Sequence, residues 1–183
     1  MSVAEEIFAI FERRSAGAYF GERVSMREHA LQAAHFATHE GAPPNLIVAA
    51  LLHDIGHLLE EIADDPADWT VDARHEEIGG HWLARRLRAE VAEPVRLHVP
   101  AKRYLCASDA TYFAKLSPAS VQTLKLQGGP MSSREVAAFE SERYFREAVR
   151  VRQWDDAGKV AGLKTASLSA YAAMIDALTS EAL

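Results

Sequence analysis

Apolar positions along this chain recur at helical spacing, and most runs open on a recognisable start signal. Ser2 with Glu5 forms a capping box ahead of Val3, Ile7, Ile10 and Phe11, which share one face. Ser25 with Glu28 forms a second box, opening a helix that contains His29 and stops near Gly41 and Pro43-Pro44. Asn45 is expected to cap the next helix, Asp72 a fourth with His75 in its first turn and Ile78, Trp82 and Leu83 turned inward. Glu93-Pro94 reads as the start of a short helix ending at His98, with a break forced by Pro100. Ser117-Pro118 opens another, closed by Gly128-Gly129, and Ser132 with Glu135 opens a helical stretch running, with a kink, to Lys159. Thr165 is expected to cap a last amphipathic helix through Leu168, Tyr171, Ile175 and Leu178. The stretches 15–24 and 60–71 read as loops, and no strand pair, repeat or low-complexity tract interrupts the pattern. The expectation is an all-α helical bundle forming a single domain over 1–183, with side chains from several helices facing one centre.

Composition narrows the function classes. The net charge of −6 argues against a nucleic-acid binder, whose affinity rests on neutralising phosphates. Cys106 is the only cysteine, so no intramolecular disulfide forms and a reducing cytoplasm fits. The N-terminal residues lack a signal-peptide pattern, and no apolar run is long enough to span a bilayer. The chain is therefore expected to be cytoplasmic, with no membrane partner; oligomeric state leaves no trace in the sequence.

The chemistry begins in Ala49-Ala-Leu-Leu-His-Asp-Ile-Gly-His-Leu58. An adjacent His53-Asp54 pair among Leu51, Leu52 and Ile55 implies burial, and a desolvated carboxylate needs a compensating charge, which a metal ion supplies. Consecutive side chains leave a helix about 100° apart, so the two can grip one ion from two sides. His53 and His57 share a helix face at i, i+4. His29, His75, His98 and Asp155 are further candidate ligands, a set that suits a dinuclear iron-type site better than a structural zinc site. His35, His39 and His81 are out of phase and read as surface or packing residues. Periodicity does not choose between Asp155 and Asp156; the second is also placed to pair with Arg152 at i, i+4.

His29, the His53-Asp54 pair and a distant Asp155 resemble the HD-domain superfamily of metal-dependent enzymes, over most of the chain. His98-Val-Pro-Ala-Lys-Arg-Tyr-Leu105 and Val151-Arg-Gln-Trp-Asp-Asp-Ala157 are similar to motifs of its phosphonate-cleaving oxygenases, relatives of myo-inositol oxygenase. That resemblance implies a mixed-valent Fe(II)/Fe(III) pair with O2 as co-substrate. One ion would take His29, His53, Asp54 and Asp155, the other His75 and His98, with Asp54 bridging. It also implies a phosphonate held by His57, Lys102, Ser120, Thr123 and Arg152, and a gate formed by Tyr19 and Glu22.

Residue phasing supports the anion pocket separately. Lys102 lies one turn past His98, and Arg152 precedes Asp155 by three residues on one helix face. A guanidinium gives the bidentate grip a phosphonate needs, and Ser120 and Thr123 fall in the first turns of their helix, which favours an anion. The reaction implied is O2-dependent C–P cleavage of a small organophosphonate, 1-hydroxy-2-(amino or trimethylammonio)ethylphosphonate, to phosphate and glycine or glycine betaine. The competing class is a metal phosphohydrolase acting on a nucleotide or phosphodiester through the same His29, His53-Asp54 and Asp155 set. Aromatic faces for a quaternary ammonium are supplied by Tyr19, Phe20, Tyr104, Tyr112 and Phe113, so their supply does not decide the substituent.

Overall fold

The computed structural model describes residues 1–15, 17, 19, 21–59 and 72–180, so the loop expected at 60–71 lies outside the described residues. The all-α expectation holds: the described residues form helices and no strand, and an isolated bridge pairs Leu87 with Thr179. Capping boxes at Ser2, Ser25 and Ser132 start α1 (Val3–Arg14), α2 (Met26–His39) and α8 (Ser133–Glu140), each with its glutamate closing the box. Between them run α3 (Pro44–Leu52), α4 (Ile55–Leu59), α5 (His75–Ala84), α6 (Ala89–Ser108) and α7 (Pro118–Leu126). After them come α9 (Phe145–Ala157) and α10 (Ala172–Asp176). No helix among the described residues is long and apolar enough to cross a membrane.

Helix α3 is buried on every side from Leu46 to Leu52 and packs against α2, α6 and α9, while α5 lies between α4 and α6. It is the centre of the core, and its C-terminal end delivers the His-Asp pair. Trp154, 1% exposed, anchors α9 immediately before Asp155, so the helix that presents this carboxylate is held by a large buried ring. Burial of each such side chain contributes roughly 1.5–3 kcal/mol, which fixes the helices that carry polar groups inward.

Six local expectations need correction. The helix carrying the His-Asp pair is interrupted at residues 53–54, so His53 ends α3 and His57 belongs to α4. Asn45 is not a cap: Pro43 occupies that position, and the Asn45 amide donates to the Glu90 carbonyl (3.4 Å). Glu90 is the residue whose carbonyl loses its helical donor to Pro94, so that contact helps explain why Pro94 lies inside α6, which also continues through Pro100. Packing of α6 on α3, α5 and α9 outweighs the roughly 3 kcal/mol proline penalty. Asp72 does not cap α5; its carboxylate accepts from the Arg74 N–H, and Arg74, at φ 50°, is the capping residue. The stretch from Ser132 to Lys159 is two helices, and the final amphipathic run is a 3-10 turn (Leu168–Tyr171) followed by α10, preceded by Ser167 in place of Thr165. Its face survives, with Leu168, Tyr171, Ile175 and Leu178 all buried.

Candidate metal centre

Two clusters of side chains meet on Asp54. His29, His53 and Asp54 form one, and Asp54, His75 and His98 the other, all buried. Asp54 Oδ2 lies 3.3 Å from His53 Nε2 and 3.6 Å from His29 Nε2. Its other oxygen, Oδ1, lies 3.2 Å from His75 Nε2 and 3.6 Å from His98 Nε2. One carboxylate thus faces both clusters, one oxygen each. Asp155 joins the first cluster, with Oδ1 3.3 Å from His29 Nε2 and 3.8 Å from His53 Nε2. Asp156 turns away, bonding Arg152 and the Tyr112 hydroxyl, so the geometry places Asp155, and not its neighbour, in the cluster.

Backbone geometry makes this approach possible. A Cβ on Gly56 would stand 2.0 Å from the His75 carbonyl oxygen, so only glycine lets α4 touch α5 and bring His75 against Asp54. Gly158, just past α9, comes close enough to His29 for its carbonyl to meet the ring at Nδ1 (2.8 Å). His53 Nδ1 meets Ala50 O (2.8 Å) and His98 Nδ1 meets Val95 O (2.7 Å). These carbonyls accept Nδ1–H and leave Nε2 as a lone pair directed into the clusters. The fourth imidazole differs: the group near His75 Nδ1 is Glu76, with Oε2 at 3.7 Å.

The donor set fits metal ions. His29 and His53 point Nε2 atoms at each other across 3.0 Å, and His75 and His98 do so across 3.2 Å. Two ring nitrogens at that distance need a proton or a metal cation between or beside them. Asp155 Oδ1 is buried and has no hydrogen-bond partner, an orphaned acceptor of the kind a cation satisfies. Burial alone would lower the His53 imidazole, but the charge and hydrogen bond of Asp54 raise it to about 9, so the cluster attracts positive charge. Burial lowers His98 to about 4, which keeps it a neutral donor. Burial pushes the Glu76 carboxyl up.

Beside the clusters opens a cleft of about 400 Å³, its mouth included, lined by Tyr19, Asp54, His57, His75, His98, Lys102, Ser120, Thr123, Arg152 and Lys159 among others. Lys102, 2% exposed, donates to Thr123 Oγ1 (2.8 Å). Arg152 donates to Asp155 Oδ2 (2.7 Å), Ser120 Oγ (3.3 Å) and the Tyr112 hydroxyl (3.0 Å). Burial works against its charge, and Asp155 and Asp156 more than offset this. His57 stacks on His75, ring centroids 3.9 Å apart.

Tyr19 stacks on His29 (3.8 Å) and donates from its hydroxyl to Asp54 Oδ2 (2.8 Å). Burial, and then the Asp54 charge, hold its phenol protonated. Glu22 joins it through a turn, its N–H donating to Tyr19 O (2.7 Å), but the Glu22 carboxylate stands outside the cleft, 3.9 Å from Lys159 Nζ. Tyr19 is the one tyrosine, phenylalanine or tryptophan among the described residues that lines the cleft. Of the other aromatics considered, Tyr112 buttresses Arg152, Tyr104 bonds Glu140, Phe113 is half-exposed and Phe20 lies outside the described residues. His35, His39 and His81 stay away from the clusters, His39 and His81 exposed and His35 partly so.

Two polar cleft residues escaped the sequence reading. Lys159 donates to Ser120 Oγ (3.3 Å) and Ser117 Oγ (3.4 Å), and its position one turn beyond Asp155 was the available signal. Gln127, one turn beyond Thr123, lines the cleft with a buried Oε1 that has no hydrogen-bond partner.

The HD-domain family pattern matches residues 26–143. The chain is 45% identical over 174 residues to [1-hydroxy-2-(trimethylamino)ethyl]phosphonate dioxygenase (glycine-betaine-forming) of Leisingera caerulea, covering 95% of this chain and 89% of that one. It is 44% identical over 170 residues to hydroxymethylphosphonate dioxygenase of Gimesia maris, covering 91% and 85%.

Proposed function

Because the chain belongs to the HD-domain family, we propose that it is a di-iron oxygenase that uses O2 to cleave the C–P bond of a 1-hydroxyalkylphosphonate. The substrate R–CH(OH)–PO3²⁻ and O2 give R–COO⁻, inorganic phosphate and a proton. The proposed ligands are His29, His53, Asp54 and Asp155 for one ion, and His75, His98 and the shared Asp54 for the other. The observation that carries this reading is Asp54, whose two oxygens each face a separate pair of imidazole nitrogens beside a cationic cleft. The names of both relatives specify a phosphonate and a dioxygenase, and the substituents in those names bracket R between trimethylammoniomethyl and hydrogen.

When bound, iron supplies O2 activation and Lewis acidity toward the C1 hydroxyl. The chain supplies position and charge. Arg152, Lys102, Ser120, Thr123 and His57 hold the phosphonate, and Lys159 adds a third cation at the same serine. Tyr19 occupies Asp54 through its hydroxyl and yields when substrate arrives, with Glu22 across the turn sensing an ammonium substituent. Ferrous protein in air is expected to release phosphate from 1-hydroxy-2-(trimethylammonio)ethylphosphonate, its primary-amine analogue or hydroxymethylphosphonate, with O2 consumed one for one. Phosphate release undiminished in an anaerobic chamber would replace the oxygenase with a hydrolase.

Lys102 gives the cleft a pH dependence. Burial, with Arg152 nearby, lowers its ammonium to about 7. Only the protonated form attracts the phosphonate, so binding weakens as pH rises through that value. KM is expected to climb above pH 7 by up to about tenfold per unit, with kcat changing less. In Lys102→Arg, whose guanidinium does not titrate there, the climb should flatten. A wild-type KM that is level from pH 6 to 9 contradicts this role.

A further inference from the structure

The four imidazoles are not held alike. His29, His53 and His98 meet neutral carbonyl oxygens at Nδ1, whereas Nδ1 of His75 stands 3.7 Å from the carboxylate Oε2 of Glu76. That oxygen is buried and without a hydrogen-bond partner, and Glu76 as a whole is 6% exposed. An acidic residue in the first turn of a helix complements the helix dipole, but Glu77 beside it serves that end from a partly exposed position paired with Arg96. The dipole therefore does not explain why a carboxylate is taken inside.

We propose that Glu76 is the positioning residue of the second ion site: it accepts the Nδ1–H of His75 and so fixes the tautomer and orientation that aim Nε2 beside Asp54. The proposal rests on the two-ion reading above. The gap must close by roughly 0.8 Å to reach an ordinary hydrogen bond, a small rotation of either side chain. A carboxylate behind an imidazole makes it a stronger donor than a carbonyl does. Two imidazoles and a shared carboxylate are a thin ligand set beside the first cluster, which also has Asp155. The charged acceptor is thus placed at the cluster with fewer ligands of its own.

The experiment titrates metal-free protein anaerobically with ferrous iron against a competing chelator, counting ions per chain by elemental analysis. Wild type should hold two, and His75→Ala one. Glu76→Gln should bind the first ion as wild type does and the second about 10- to 100-fold more weakly, while Glu76→Asp should fall between the two. In the metal-free state, Glu76→Gln should unfold at the wild-type temperature or above it, because an unpartnered buried carboxylate has been removed. Wild-type affinity for the second ion in Glu76→Gln overturns the proposal, as does loss of both ions with a lowered metal-free unfolding temperature, which marks a general structural role. A wild type that never takes up a second ion fails differently: the two-ion reading falls first, and this inference with it.

Discussion

Asp54→Asn should abolish turnover and leave neither ion site filled, in a protein that keeps its helix content. The change is nearly isosteric, so packing around α3 and α4 is preserved. What is lost is chemical: an amide presents one oxygen and one NH2, and the NH2 is a donor with no lone pair for a cation. Whichever way the amide turns, one of the two imidazole pairs now faces a donor, and the other faces an oxygen without net charge. The expected loss exceeds the roughly 10- to 100-fold cost of removing a hydrogen-bond partner behind a ligand. Elemental analysis of the purified variant, with circular dichroism as the folding control, checks both halves. Two tightly held ions in Asp54→Asn would remove the shared carboxylate from the centre of this reading.

The second large effect belongs to Arg152, where charge and shape can be separated. Arg152→Met leaves the Asp155 carboxylate buried without its neighbouring cation, a situation that costs about 3–5 kcal/mol. Chemical denaturation of the metal-free protein should register that loss directly. The pH dependence has a definite sign. The Arg152 charge holds the Asp155 carboxyl well below the usual range despite burial, so its contribution is present at neutral pH and is lost as pH falls through the depressed value. Arg152→Met should lack that acid-side component. Arg152→Lys keeps the charge and should fold, yet lose most of its affinity for the phosphonate, because one ammonium cannot span Asp155, Ser120 and Tyr112 at once. Wild-type KM in Arg152→Lys would return this residue to a purely structural ion pair.

The contrast between what was legible in the sequence and what was not has a physical pattern. The capping boxes at Ser2, Ser25 and Ser132 were readable because both partners of each bond lie within four residues. The same locality made Arg152 and Asp155 readable as neighbours. Asn45 and Pro94 were misread together, since local rules assign a cap and a helix start where a side chain from a distant helix meets the Glu90 carbonyl. The break at His53-Asp54 was hidden by the unbroken apolar run before it and by Ile55, Leu58 and Leu59 after it. Tyr112 reached Arg152 across forty positions, a contact no periodicity announces. Lys159 was in phase with Asp155 but stood past the end of α9, where helical phasing ceases to say which way a side chain points.

The contact between Gly56 and the His75 carbonyl makes the distance between the two clusters that meet on Asp54 a property of the main chain. Side chains can change rotamer to absorb a neighbour's substitution; two backbones in contact have no such slack. The interval works as a gauge block, its length set where the two main chains touch. One methyl group at position 56 would act as a shim, prising α5 away and widening the interval even with every ligand still present. Such a protein would carry all the right residues at the wrong spacing.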